Sequence, residues 1–589
     1  MKWFITVLFL LLFSTTFHAS KTPTRYFQEK ENEISHFIYD GHYNNALLKC
    51  DQLLAKQLNK DQRYKILSIQ SKIHFWNDNM YAYRKTAEEA YQLKKKDSPI
   101  YKAYFHAQLG YFYHFSFVGD SALIHAEKAL KLLHNNYSER SKISAHFIYH
   151  IYGTCEIYRK RYYFDSGNEI ESKHKRIEPI MNYLDSALLI FNETPYFPQE
   201  KAIILRSKGS RMFDLVGYDI RSKPSDFIHP KFEKEVLSKV ISFYKQAENC
   251  LPKKEKSLRT NINGVLSMAF YCNNQPEKGD SICLPYIEKY SRNPIGEILP
   301  CFLNSMSVLD YFTKNAILRN SNKKELTRLL EFNKQILPYW RMYLQQENLN
   351  FFDAYNNSPV DKIILLLDFF KDKNDIENRH CLSEFAFEKF SYFSKVAINK
   401  VGRHIINKNA YQKLLAQIER KPTDFLSLNK LSKTASKVEK LIAVKQVQSK
   451  LKTNEAVLLV SSSSGHNAFH ICILKNSIKV FRLKKYQYFF QETRNNEFNT
   501  PQEIKKRSSS ILKEAPHISY LVNQKIKKLY VASNIEFPFD WLVINSKGNE
   551  FHELSFFKKQ INVVKMFNPI DFFTSKPTES LIHRKTTSF

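Results

Sequence analysis

The side chains best placed to do chemistry lie in the last quarter of the chain. Ser464-Gly465-His466, with His470 four residues on, gathers a hydroxyl, a flexible backbone and two imidazoles in one short stretch. A serine nucleophile needs an adjacent base to take its proton. The cluster lacks a GxSxG elbow, however, and joins one strand-like segment to another instead of a strand to a helix, so it reads as a hairpin turn. His470 and Cys472 are spaced i and i+2, which on a strand puts them on one face, where an imidazole could meet a thiol. Cys472 nevertheless sits in the apolar run Phe469-His470-Ile471-Cys472-Ile473-Leu474, and apolar surroundings raise a thiol's pKa and keep its thiolate scarce. Cys272 and Cys283 flank the polar turn Asn273-Asn274-Gln275-Pro276 and could bridge in an oxidising compartment. Buried free thiols are the expected state at such helix positions, where cysteine behaves as a small hydrophobe. The eight cysteines are irregularly spaced, with no CxxC and no His/Cys pair at ligand spacing, so no metal site is expected. No Walker loop, HExxH, GxGxxG or paired-carboxylate signature is present, and 13 glycines in 589 residues leave little for phosphate-cradling loops. The residues therefore assign no catalytic group, no metal ligand and no cofactor, and leave the binding residues unknown.

The elements around these residues are short strands. Ala456-Val457-Leu458-Leu459-Val460, the run 469–474 and Ile478-Lys479-Val480-Phe481-Arg482-Leu483 form a meander joined by tight polar turns. A helix is expected over 501–521, a strand at Leu529-Tyr530-Val531-Ala532 and a last one at Ile561-Asn562-Val563-Val564-Lys565-Met566. Strands before and after a helix predict an α/β domain of about 120 residues. Upstream, Val444, Val447 and Leu451 make one helical stripe.

Most of the chain reads differently. Ala46, Cys50 and Leu53, then Tyr83, Ala87 and Ala90, then Ala122, Ala126 and Ala129 recur at helical offsets, so each set occupies one helix face that a neighbouring helix can approach closely. The intervals between the sets are about 37 and 39 residues, near the roughly 34 of a helix-turn-helix repeat. Tyr183 with Ala187 and Tyr244 with Ala247 keep part of the pattern, and apolar periodicity continues through Ile363-Ile364-Leu365-Leu366-Leu367 and Phe385 to Leu415. These segments resemble tetratricopeptide repeats (TPR), the best copy being Gly119-Asp120-Ser121-Ala122-Leu123-Ile124-His125-Ala126-Glu127-Lys128-Ala129-Leu130. The resemblance implies an α-solenoid whose concave face holds a protein or peptide. The aromatic residues Tyr101, Tyr104, Phe105, Tyr111, Phe112 and Tyr113 are expected to pack between helices rather than to box a ligand.

A second resemblance covers about residues 440–573. Leu451-Lys452-Thr453-Asn454-Glu455-Ala456-Val457-Leu458, Lys528-Leu529-Tyr530-Val531-Ala532 and Phe537-Pro538-Phe539-Asp540-Trp541-Leu542 are similar to successive segments of CHAT domains, the caspase-like domains found behind TPR arrays. Phe387-Glu388-Lys389-Phe390-Ser391-Tyr392-Phe393-Ser394-Lys395 resembles the helix that often precedes them, while Ala532-Ser533-Asn534 replaces the family's proline-aspartate-glycine turn. Active CHAT domains use a His-Cys dyad, in which an imidazole activates a thiolate, and both residues lie beyond the segments matched here. After Met566 there is no cysteine, and the one histidine, His583, lies in a polar tail. The resemblance thus implies an incomplete, non-catalytic domain, the rival being a cysteine peptidase completed in trans or through an unrecognised site.

The N-terminus, with Lys2, an apolar run from Trp3 to Phe13 and the stretch Ser14-Thr15-Thr16-Phe17-His18-Ala19-Ser20, is that of a secretory signal peptide. Export to a periplasmic or extracellular compartment is therefore expected, with cleavage after Ala19. The net charge of +31 is spread in short runs such as Lys94-Lys95-Lys96 and Lys253-Lys254. That pattern suits solvated faces first and an anionic surface second, and no zinc-finger or basic-zipper spacing points to specific nucleic acid. The expected organisation is a signal peptide over 1–19, a TPR-like array over 25–420, connecting helices over 421–450, a partial CHAT-like α/β domain over 451–573 and a polar tail over 574–589. The fold class is mostly α: a TPR-like α-solenoid followed by a small incomplete α/β (caspase-like) domain.

Overall fold

The computed structural model describes residues 24–77, 79–115, 119–161, 170–191, 197–216, 231–298, 300, 302–318, 323–347, 359, 362–363, 366, 408–435, 444–463, 467–483, 520–521, 523–533 and 562–566. The expected signal peptide, the Ser464-Gly465-His466 turn, Phe385, nearly all of the expected helix 501–521, the segment 537–542 and the tail with His583 lie outside the described residues.

The described chain is mostly helical, a helical-repeat array followed by a small α/β region. The array opens with α1 (Thr24–Tyr39), α2 (Tyr43–Leu54), α3 (Lys60–Trp76), α4 (Met80–Lys94), α5 (Pro99–Phe115) and α6 (Gly119–Asn135). It continues with α7 (Ala145–Arg161), α8 (Ile170–Phe191), α9 (Pro198–Val216), α10 (Lys231–Cys250), α11 (Ser257–Cys272) and α12 (Pro276–Arg292). The short α13 (Pro294–Ile298) leads to α14 (Phe302–Leu318) and α15 (Lys323–Glu347); further on come α16 (Lys408–Arg420), α17 (Phe425–Ala435) and α18 (Val444–Lys450).

Local chemistry sets the boundaries. Asn59 starts α3 with a capping box: its side chain accepts from the Gln62 backbone N–H at 2.9 Å, and the Gln62 side chain accepts from the Asn59 N–H at 3.1 Å. Asn79 caps α4 with its side chain, accepting from Ala82 N–H at 3.1 Å. α5, α9, α12 and α13 each begin at a proline, whose missing N–H costs nothing in the first turn.

Successive helices pack as hairpins, α3 on α4, α5 on α6, α7 on α8 and α9 on α10, and α5 also meets α7. The small residues of the repeat make these approaches close. Ala46, Cys50, Ala87, Ala90, Ala122, Ala126, Ala129, Ala187 and Ala247 are all buried. Between α5 and α6 the fit is tight enough to need Gly110: a Cβ there would stand 3.2 Å from the Ala122 carbonyl oxygen and 3.3 Å from the Ala126 nitrogen. The aromatic residues of α5 pack as anticipated, Tyr104, Tyr111 and Phe112 buried and Tyr101 and Tyr113 partly so.

The α/β region carries β1 (Glu455–Ser463), β2 (Asn467–Leu474), β3 (Ile478–Leu483), β4 (Lys528–Ser533) and β5 (Asn562–Met566). They form one five-stranded sheet in the order β3-β2-β1-β4-β5. The expected meander is present, since β1 pairs antiparallel with β2 and β2 with β3, whereas β4 joins β1 in parallel and β5 joins β4 in parallel. Alternation sorts the side chains. Val457, Leu459, Ile471, Ile473 and Val480 share one hydrophobic core with α12, α14, α15, α16, Leu431 of α17 and Val444 and Val447 of α18. Ala456, Leu458, Cys472 and Leu529 are buried on the other face. Burial on both faces explains the uninterrupted apolar run of β1. No helix among the described residues is long and apolar enough to cross a membrane.

Candidate functional site

Of the two reactive residues singled out in β2, Cys472 is the one whose burial the structure describes. It lies opposite Leu458 of β1 and Lys479 of β3 and is fully buried. Burial pushes its thiol well above the ordinary range, so little thiolate forms near neutrality. His470 is two residues along the same strand, opposite Val460 and Phe481. Cys272, at the end of α11, and Cys283, within α12, are both buried, and the Cys283 thiol donates to Ser267 Oγ at 2.9 Å. No group of three or more His, Cys, Asp or Glu residues arranged to hold a metal ion occurs among the described residues.

The concentration of polar chemistry is instead in the helical array, at Lys72, His146, His150 and Glu200, which the sequence pattern did not mark. α3, α5, α7 and α9, with Tyr83 of α4, surround a cleft lined by Lys72, Phe75, Trp76, Tyr83, Tyr104, His146, Phe147, His150 and Glu200. Aromatic rings form its walls: Phe75 lies 4.4 Å from Tyr111 and 5.4 Å from Phe147, and Tyr104 lies 5.8 Å from Phe147, centroid to centroid. Lys72 of α3 reaches across to Glu200 of α9 at 2.8 Å, and His146 Nε2 stands 3.7 Å from the same Glu200 oxygen. His150 Nε2 meets Ser207 Oγ at 2.7 Å. Burial pulls His146 down to about 4, with Glu200 opposing, and His150 down to about 3, with His146 adding to the effect. Both imidazoles are therefore neutral at ordinary pH, and the Lys72–Glu200 pair cancels its own charge.

The cleft's volume is about 20 Å³, enough for a water molecule. The Tyr83 hydroxyl and Glu200 Oε2, both buried, have no hydrogen-bond partner among the described residues, which suits bound water. The rings of Phe75, Tyr104 and Phe147 stand between α3 and α9 beside this space.

A second polar centre is the turn between α1 and α2, where four distant segments converge. The backbone here turns through Gly41, whose φ of 75° favours glycine, and a Cβ there would stand 2.8 Å from Glu255 Cα. Gln199 donates to the Ile38 carbonyl at 2.8 Å, Lys254 pairs with Asp40 at 3.1 Å, and the Asn44 amide donates to the Pro300 carbonyl at 2.7 Å. Glu255 accepts from the N–H groups of Leu258 and Arg259, both at 2.9 Å, capping the first turn of α11. Burial raises its carboxyl pKa. Glu419 of α16 does the equivalent for α2. One oxygen accepts from Asn44 N and Nδ2, both at 3.2 Å, and the other from Asn45 N at 3.0 Å and Asn45 Nδ2 at 2.7 Å.

Sequence periodicity identified α2 by Ala46, Cys50 and Leu53, but carried no sign of what would cover its first turn. A run of two asparagines before the apolar stripe is the only available hint, and it does not name Glu419, some 375 residues away. No protein-family model and no curated protein matches this chain.

Proposed function

We propose that this protein is an exported TPR-type scaffold that binds a protein or peptide partner, carrying a degenerate, non-catalytic CHAT-like α/β region. The observation behind this reading is the buried small-residue seam that recurs from Ala46 through Ala129 to Ala247. Helix pairs stacked on such seams present an extended face, and recognition rather than chemistry is what such faces provide. The non-catalytic part of the reading rests on Cys472, a buried thiol pushed away from its reactive form.

Docking is assigned to the array's inner face, at the mouth of the cleft. Lys72 marks that mouth, being 22% exposed where its partner Glu200 is 7% exposed. A photo-crosslinking residue at position 72 captures the partner, whereas one at position 124, where Ile124 is exposed on α6, does not; the reverse pattern removes the inner-face assignment. Labelling of the native protein by a thiol-reactive probe at one hyper-reactive cysteine, lost on changing a single histidine, would show a peptidase instead. Export predicts a mature N-terminus at Ser20, read by sequencing the secreted product.

A further inference from the structure

Outside the cleft, two imidazoles touch across the seam between α5 and α6. His106 of α5 and His125 of α6 bring their Nδ1 atoms to 2.9 Å, with ring centroids 5.1 Å apart. The contact fixes where the protons sit. In the neutral pair one Nδ1 carries a proton and donates it, the other Nδ1 is bare and accepts, and the accepting ring carries its own proton on Nε2. That ring therefore presents an N–H on the side away from the contact. Both rings are only partly buried. Aromatic neighbours hold them: Tyr113 stacks on His125 at 5.3 Å, and Phe105, itself stacked on Tyr91 at 4.4 Å, lies 6.5 Å from His106.

Positive charge surrounds this pair. Lys102 lies four residues before His106 on α5 and Lys128 three residues after His125 on α6, so each lysine shares a helix face with one imidazole. Arg84 of α4 joins them, its guanidinium 4.8 Å from the Phe112 ring centroid. All three side chains are exposed, and none forms an ion pair or hydrogen bond among the described residues. From α4, α5, α6 and α7, the charged groups that act on the imidazoles are Lys102, Lys128 and Arg84, and no carboxylate among the described residues offsets them.

We propose that this corner is an anion site, taking a doubly charged tetrahedral oxyanion of the phosphate or sulfate class on Lys102, Lys128, Arg84 and the imidazole N–H. Three uncompensated cations repel a metal ion from the imidazole pair and attract an anion to it. None of these residues lines the cleft, so the site is independent of partner docking there. A bound anion also favours a proton on the pair. Added at the bare Nε2 of the donating ring, that proton leaves the Nδ1–H···Nδ1 bond in place, makes it charge-assisted and supplies a second N–H. In the empty site, burial first and then the neighbouring positive charge pull His106 down to about 4 and lower His125 as well, so the pair is neutral near pH 7. A dianion opposes that shift. Binding therefore strengthens as pH falls through the occupied pair's pKa and levels off below about 4.

The test is calorimetric titration of the full chain with sodium sulfate and with sodium phosphate at low ionic strength, where an exposed site is least screened. At pH 8 both ions are dianions, and the tighter binder identifies the class. Lys102→Gln and Lys128→Gln each weaken binding about tenfold, whereas Lys413→Gln, at an exposed position of α16, leaves it unchanged. Sulfate keeps its charge from pH 8 to pH 5, and over that range it binds the wild type about threefold more tightly. Replacing both imidazoles, His106→Gln with His125→Gln, removes that pH dependence. Failure of both ions to bind, an equal loss in Lys413→Gln, or a sulfate affinity of the wild type that ignores pH overturns the proposal. Should the double variant fail to fold, the exposed lysine variants and the wild-type profile still decide.

Discussion

In the first core of the molecule, running from Phe27 to Ile262, imidazoles and carboxyls lie among aromatic rings: His146, His150 and Glu200 inside the cleft, and Glu255 beneath the first turn. The second core, from Cys283 to Val480, joins α12–α18 to the sheet with far fewer buried ionisable side chains. Beyond Glu255, Lys362 is the one buried residue of Asp, Glu, Lys, Arg or His type among the described residues. The difference follows from how each architecture satisfies its backbone. A sheet pairs its own N–H and C=O groups along the ladder, which frees its side chains to be apolar. A stack of many helices brings helix ends inside, and each end carries unpaired backbone groups. Here side chains answer them: Gln199 at the Ile38 carbonyl, Asn304 at the Trp76 carbonyl and Glu419 at the Asn44 and Asn45 N–H groups.

The largest expected effect tests the apolar core. Trp340 is 2% exposed and sits in the cluster shared with the sheet; Trp340→Ala should cost about 4 kcal/mol, read by chemical denaturation. A loss below about 1 kcal/mol would mean that the sheet and helices do not form one core. The next separates the two regions by pH. His146 titrates near 6.5 unfolded and about 4 folded, so the unfolded chain binds the extra proton between those values. Its stabilising contribution is complete above 6.5 and is lost as pH falls towards 4, amounting to about 3 kcal/mol. Denaturation midpoints from pH 7 to pH 4.5 should fall in the wild type and fall less in His146→Asn, and identical slopes would place that imidazole in water.

A smaller change probes the helical seam. Ala126→Leu forces a larger side chain between α5 and α6, where Gly110 already approaches Ala126 closely, and should cost about 2 kcal/mol in thermal unfolding followed by circular dichroism. Smallest is Cys472→Ala, about 1 kcal/mol, and a thiol reagent should reach Cys472 only when the sheet opens. Labelling of Cys472 as fast as that of half-buried Cys250 would contradict its burial.

The helical faces were legible before any coordinates because a repeat writes its packing locally. Tyr83, Ala87 and Ala90, or Ala122, Ala126 and Ala129, need only helical periodicity to be placed on one buried side. The meander was legible for a similar reason, as short apolar runs between polar turns have few alternatives, and Ile478 to Leu483 forms a strand over the expected residues. The parallel placement of β4 beside β1 was not, because it joins segments more than 60 residues apart and leaves no local trace. The same holds for the cleft. Lys72, His146 and Glu200 belong to α3, α7 and α9, and each reads alone as an ordinary polar position on an amphipathic helix.

The amino-acid sequence by itself determined which stretches are helix or strand and which side of each is apolar, since those properties depend on spacing over a few residues. Only the tertiary structure decided which distant helices meet. It sets Lys72 against Glu200 and Glu419 against Asn44 and Asn45, because such pairings depend on long-range helix positions that no local pattern encodes.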